Sequence, residues 1–110
     1  MKQKDIYLAK LDPLFGSEQS GTRPVVIISG NVLNDHSNVR IVCAITSKIR
    51  HRPRCIILKK SQETGLDRDS EVLIYQVRTV AADRLLQKLG SVNDQVLLQI
   101  KRNLFDYLTL

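Results

Sequence analysis

Arg23 and Thr46 stand where an anion could be gripped and a proton handled. Arg23 closes a polar, glycine-punctuated stretch, Gly16-Ser17-Glu18-Gln19-Ser20-Gly21-Thr22, and is followed at once by Pro24 and the run Val25-Val26-Ile27-Ile28. Proline fixes its own φ and biases the residue before it toward extended backbone, so the arginine is delivered rigidly. The apolar run reads as a strand buried on both faces. A guanidinium held at its mouth matches phosphate or carboxylate oxygens with a planar fork of donors. Thr46 and Ser47 end a second apolar run, residues 41–45, and place hydroxyls there. Gln76 and Arg78 follow a third, residues 72–74. Three strand ends of this kind can converge on one pocket.

Other residues could support such a site. Glu18 and Gln19 precede Arg23 in its loop. A carboxylate there can accept a proton or hold the guanidinium, and a solvated loop acid is an equal reading. Arg23 itself could instead pair with Glu18 or Asp12. The segment Lys48-Ile49-Arg50-His51-Arg52-Pro53-Arg54 puts four permanent cations in seven residues. Such a run is commonly a solvated loop; its adjacency to Thr46 favours tracking of nucleic-acid phosphates. His51 is of the type that titrates near neutrality, whereas His36, amid Asn and Asp, reads as surface.

These side chains need a frame. Residues 5–11 alternate as a first strand, and 12–22 form a long loop of the kind that is often functional. Residues 25–29 form the second strand, 31–38 turns or a short helical turn, 39–46 the third strand and 54–59 the fourth. Residues 61–69 turn, with Gly65 available for positive φ. Residues 71–76 and 78–80 read as strands. Leu85, Leu86 and Leu89 are spaced for a short helix ended by Gly90. Ser91 and Asp94 resemble a capping box opening a last helix. In it Leu97, Ile100, Leu104 and Leu108, with Val96 and Phe105, form an apolar stripe. Short strands followed by helices imply an α+β domain with a small, curved antiparallel sheet.

Composition bounds the rest. The 110 residues, 43% hydrophobic and 25% charged, fit one domain spanning 1–110. No apolar run exceeds about five residues, against the roughly 20 of a membrane span. The start, Met1-Lys2-Gln3-Lys4-Asp5, lacks the apolar segment of a secretory signal, so a cytoplasmic protein is expected. A net charge of +6 favours acidic partners, RNA or an acidic protein segment alike. Cys43 and Cys55 form no C-x-x-C motif, and no familiar metal spacing joins them to His36 or His51. They read as small buried hydrophobes on neighbouring strands, and no cofactor is expected.

One set of motifs carries a resemblance over nearly the whole chain. D-I-Y-L-A-K-L-D-P at 5–13, G-S-E-Q-S-G-T-R-P-V-V-I-I-S at 16–29, A-I-T-S-K at 44–48, Q-V-R-T at 76–79 and R-L-L-Q-K-L-G-S-V at 84–92 resemble the MazF/PemK (Kid) toxins, the endoribonuclease half of bacterial toxin–antitoxin pairs. The resemblance implies an SH3-like antiparallel barrel with a C-terminal helix, usually a homodimer. It implies a metal-independent, sequence-specific nuclease for single-stranded RNA, neutralised by a MazE-like antitoxin with an acidic tail. Arg23 and Thr46 match the family's catalytic pair, Glu18 a supporting glutamate, and Gln76 and Arg78 an element that supports the site and contacts RNA. Gln19, Ser47, Lys48, Arg50, His51 and Arg52 are the neighbouring candidates for support or RNA contact.

RNA carries its own nucleophile, the 2′-hydroxyl. The protein then needs only to align the phosphate, stabilise its extra charge and manage two protons. In the family, cleavage leaves a 2′,3′-cyclic phosphate and a 5′-hydroxyl. Many relatives carry Asp or Glu immediately before the Q-x-R element, and here that position is Tyr75. A phenol stays protonated at neutral pH and is a poor base, though its ring can stack on a nucleobase. An Arg/Thr-centred mechanism is therefore expected, with the base unassigned. Two rivals share parts of the pattern. CcdB-like gyrase poisons depend on a tryptophan near the C-terminus, and this chain has none. A non-catalytic RNA-binding barrel would use Arg23 and Thr46 only to hold phosphate.

Overall fold

Each strand of this chain alternates apolar residues between two faces, because successive side chains of a β-strand point to opposite sides. The computed structural model of the chain describes residues 1–11 and 21–110. Its strands are β1 (Asp5–Lys10), β2 (Thr22–Ile27), β3 (Val39–Thr46), β4 (Ile56–Leu58), β5 (Ser70–Ala81) and β6 (Leu85–Ser91). Two helices, α1 (Asn31–Asn34) and α2 (Asp94–Thr109), and a 3-10 turn, Ala82–Arg84, complete the described elements. The strands form one sheet in the order β4-β5-β3-β2-β1-β6, and every neighbouring pair is antiparallel. The antiparallel α+β class expected from the sequence is the one observed.

The sheet has to curl. In a flat sheet β5 and β6, with three strands between them, would stand about 19 Å apart at roughly 4.8 Å per strand. The turn that joins them has three residues, each rising about 2 Å. Only a half-barrel brings the end of β5 to the free edge of β1. The curl gives two cores. On one side Ile6, Val26, Cys43, Ile45, Val72 and Ile74 meet Ile100 of α2, with Val96, Leu104 and Tyr107 packed around them. On the other face Ala9, Val25, Ile27, Val42, Val80 and Leu85 gather, with Tyr7 and Leu11 against them.

Burial of Leu97 and Ile100 is worth about 1.5–3 kcal/mol each and seats α2. Phe105 and Leu108, expected in the same stripe, are exposed. The helix opens two residues later than a capping box at Ser91 would set it. Its N-cap is Asn93, whose side chain accepts from the Val96 amide at 2.9 Å, while Ser91 belongs to β6.

Residues 85–90 are not a helix, contrary to their leucine spacing. They are β6, paired with β1 from Asp5↔Ser91 to Ala9↔Leu85 with two register shifts. Each shift adds one residue to β6 and exchanges its faces, which imitates a helical period over so short a window. Gly90 is required by a close approach rather than by a helix end: a Cβ there would lie 2.3 Å from the Glu63 carbonyl oxygen. Gly65 has the positive φ anticipated for its turn, 71°, and a Cβ on it would meet the Leu89 carbonyl oxygen at 1.8 Å.

β5 is one long strand where two were expected. Opposite the adjacent β3 residues Cys43 and Ala44 stand Val77 and Leu73, so Ile74, Tyr75 and Gln76 are extra residues in a wide bulge. Bulges bend a strand and re-aim its side chains. Replacing Gly90 by alanine should cost about 2–3 kcal/mol through the forced separation of β6 from the 61–65 turn, measured by urea unfolding. An effect below about 0.5 kcal/mol would contradict the close-approach reading.

Candidate functional site

Arg23 lies near the start of β2, paired with Ala9 of β1, and is half-buried. β2 and β3 pair Val25 with Ala44. Two residues further along both strands, that register sets Arg23 level with Thr46, the last residue of β3. Arg23 alternates with Val25 and Ile27, and Thr46 with Val42 and Ala44, so both stand on the second face of the sheet. Thr46 Oγ1 accepts the Lys48 amide at 3.1 Å. That bond orients the hydroxyl and leaves its O–H to donate.

The third polar spot is placed differently from its expectation. Gln76 and Arg78 sit in the middle of β5, not at a strand end. Arg78 pairs with Val42, four residues down β3 from Thr46, or about 13 Å at the usual rise. It shares the second face with Val80. Gln76 is nearer, in the bulge between the levels of Cys43 and Ala44. Tyr75, at the tip of that bulge, is 48% exposed and meets Tyr107 edge-on, with ring centroids 6.1 Å apart and planes at 71°. Glu18 and Gln19 lie outside the described residues.

The basic connection, residues 47–55, is held at two places. Glu71, fully buried on β5 and paired with Thr46, collects its front half. Oε1 accepts the Arg50 amide at 2.9 Å and Arg52 Nη1 at 2.5 Å, and Oε2 accepts the Arg52 amide at 2.7 Å. Between those amides His51 adopts a left-handed φ of 50°, sparsely populated for a residue with a side chain. Burial alone would raise the Glu71 carboxyl, but the two amides and the Arg52 guanidinium outweigh it and hold its pKa below the usual value.

The C-terminal turns of α2 hold the back half. Asn103 Nδ2 donates to the Arg54 carbonyl at 3.0 Å, Arg54 Nη1 pairs with Asp106 Oδ2 at 2.6 Å, and the Tyr107 hydroxyl donates to the Pro53 carbonyl. Cys55 Sγ lies 3.6 Å from the same hydroxyl. Burial, then this thiol, pushes the Tyr107 pKa up to about 12.

The four cations therefore divide. Arg52 and Arg54 are committed to Glu71 and Asp106. Lys48, Arg50, His51 and Ser47 are exposed. Cys43 is the buried hydrophobe expected, its thiol pushed up to about 12 by burial. Cys55 is not its strand neighbour: it is half-buried ahead of β4, and β5 separates β4 from β3. Among the described residues no group of three or more His, Cys, Asp and Glu could hold a metal ion. Sequence reasoning missed Glu71. Its one signal was an acid inside the run Ser70-Glu71-Val72-Leu73-Ile74, a place that burial on both faces would keep apolar.

The fold and site together define a small half-barrel protein with a permanent cation and a hydroxyl level on one face, flanked by an exposed basic loop. The model of the PemK-like, MazF-like toxin family of type II toxin–antitoxin systems matches residues 2–108, and the chain belongs to that family. It is 41% identical over 102 residues to the endoribonuclease MazF of Staphylococcus saprophyticus, covering 91% of this chain and 84% of that one. It is 36% identical over 115 residues to the endoribonuclease EndoA of Bacillus subtilis, covering 97% and 98%. The fold is that of MazF in a MazE–MazF crystal structure from Deinococcus radiodurans, with a TM-score of 0.81 and 22% identity over 100% of this chain and 96% of that one.

The lowered Glu71 pKa sets a sign for acid sensitivity. Its contribution to stability is complete above the ordinary glutamate value, about 4.3, and is lost as pH falls through the lower folded-state value. Glu71→Gln, which leaves a donor facing donors, should cost about 3 kcal/mol at neutral pH and lose less than the wild type on going to pH 3. Urea unfolding at pH 7, 5 and 3 measures both; equal acid sensitivity of the two proteins would contradict the assignment.

Proposed function

We propose that this protein is the endoribonuclease toxin of a toxin–antitoxin pair, cutting single-stranded RNA by attack of its own 2′-hydroxyl. The observation that carries this is the β2–β3 register, which, continued two residues past Val25↔Ala44, puts Arg23 beside Thr46 on one face of a chain that belongs to this toxin family. Arg23 offers two parallel N–H donors to the phosphoryl oxygens where negative charge grows in the transition state. Thr46, oriented by the Lys48 amide, donates its free O–H to the same phosphate or to the attacking oxygen. Gln76 supports that hydroxyl from the bulge. Lys48 and Arg50 hold the phosphates that flank the cut, with Ser47 and His51 beside them. Arg78 lies further along the same face, suited to a more distant nucleotide. Tyr75, braced by Tyr107, offers a ring face to a base. Glu18 and Gln19 supply polar groups from the segment before Arg23, and Arg52 acts through the loop.

No step of this mechanism needs a metal or cofactor. The chemistry leaves a 2′,3′-cyclic phosphate and a 5′-hydroxyl. Among the described residues no helix is long and apolar enough to cross a membrane. A toxin that cuts cellular RNA would act in the cytoplasm. Two copies of the chain form the working dimer. The cognate partner is a MazE-like antitoxin whose acidic tail, drawn by the net charge of +6, lies over the basic loop and the dimer interface.

Purified protein incubated with a long defined RNA in EDTA should give discrete cuts with cyclic-phosphate ends. Arg23→Ala should lose about 10²–10³ in kcat while unfolding at the same urea concentration. Intact RNA, loss of cutting in EDTA, or a merely few-fold effect of Arg23→Ala would each reject the reading. Tyr75→Phe should keep wild-type cleavage and Tyr75→Ala should raise KM about tenfold, from a lost stacking worth about 1–3 kcal/mol. Equal loss in both would point to the hydroxyl instead of the ring.

A further inference from the structure

Glu71 is fully buried, so it cannot touch RNA, and a buried carboxylate is an uneconomical way to stabilise a strand. Buried ion pairs replaced by well-packed apolar residues are often no less stable, and its strand neighbours Val72, Leu73 and Ile74 are buried apolar residues already. What the carboxylate does that an apolar side chain cannot is collect two amides and a guanidinium from one loop. Between the two donating amides His51 takes a left-handed φ of 50°. That conformation persists where its surroundings over-determine it. Glu71 also stands opposite Thr46 in the β3–β5 register, so the loop is fixed level with the candidate catalytic hydroxyl. The Lys48 amide, bonded to Thr46 Oγ1, ties the loop's first residues to the same point.

We infer that Glu71 is a positioning residue for RNA recognition. It holds residues 47–52 in the shape that turns Lys48, Arg50 and His51 outward beside Thr46, and thereby sets affinity and sequence selectivity around the cut. The inference rests on the nuclease reading above. The loop's back half is anchored separately, through Asn103, Asp106 and Tyr107. Loss of Glu71 therefore frees the front half without releasing α2.

The test uses the full chain, with Glu71→Gln and the volume-keeping Glu71→Met, on an RNA oligonucleotide carrying one mapped cut site. KM should rise about tenfold with kcat within about threefold. Cuts should spread to sequences the wild type ignores. The slope of log KM against log salt should become shallower by about 1.4, or about 0.7 for each of two phosphates no longer gripped. Adding Lys48→Ala and Arg50→Ala together should cost far less in Glu71→Met than in the wild type, because interacting residues are not additive. Unchanged KM, selectivity and salt slope in a folded variant would overturn the inference, as would a fall in kcat at constant KM or full additivity. Where Glu71→Gln does not fold, Glu71→Met decides. Wild-type protein that cuts no RNA overturns the nuclease reading alone. The Glu71 inference is then decided by binding of the same oligonucleotide: a tenfold weaker complex with Glu71→Met supports it, and equal affinity overturns it.

Discussion

The short link from β5 to β6 governs this molecule. Three residues must carry the chain across the width of three intervening strands, which only a curled sheet permits. Curling puts β6 on the open edge of β1, so that β1 is paired on both sides. One face of the curled sheet takes Ile100 of α2. Gly90 and Gly65 are the points where the closure is tightest, each lying against backbone that leaves no room for a Cβ. The helix is fixed by the same closure, since the Val92 amide bonds to Lys4 and Lys4 reaches Asp94 at 2.7 Å.

On this frame the candidate site needs little of its own. Arg23 and Thr46 are level because β2 and β3 are in register, and that register is set by core residues, Val25 against Ala44 and Val26 against Cys43. A slip of one residue would turn every apolar side chain of a strand to the wrong face. Core burial thus sets the alignment of the arginine with the hydroxyl. The bulge at residues 74–76 supplies the one irregularity. It lets β5 satisfy both cores while turning Tyr75 toward solvent and Tyr107.

Strand existence was legible where alternation was strong. β1 and β3 were read within one residue, and β2 within a few. The turn glycine was also legible, because positive φ has few occupants. β6 was not. Three leucines at mixed spacing fit a helix, and nothing local records that β1 has an unpaired edge waiting for them. The Arg23–Thr46 pairing followed from motif resemblance, with the register supplying its geometry. Glu71 could be seen as an anomaly, a charge within an apolar run, but its partners lie 19 and 21 residues away and no spacing rule connects them.

The distribution of charge follows from that long-range pairing. From His36 to Lys60 the sequence contains no acid, so an isolated 47–55 loop would be a run of mutually repelling cations with no reason to hold one shape. The fold brings in two acids from elsewhere, Glu71 from β5 and Asp106 from α2, and each neutralises one arginine. Among the described residues, no acid pairs with Lys48 or Arg50, beside the end of β3. Their field falls off within about 8–10 Å in physiological salt, so their placement near Thr46 matters more than the total charge of the chain. A loop of the same composition without Glu71 would carry one more unpaired cation and a less defined direction for all of them. The buried acid therefore lowers the number of free charges while giving those that remain an address.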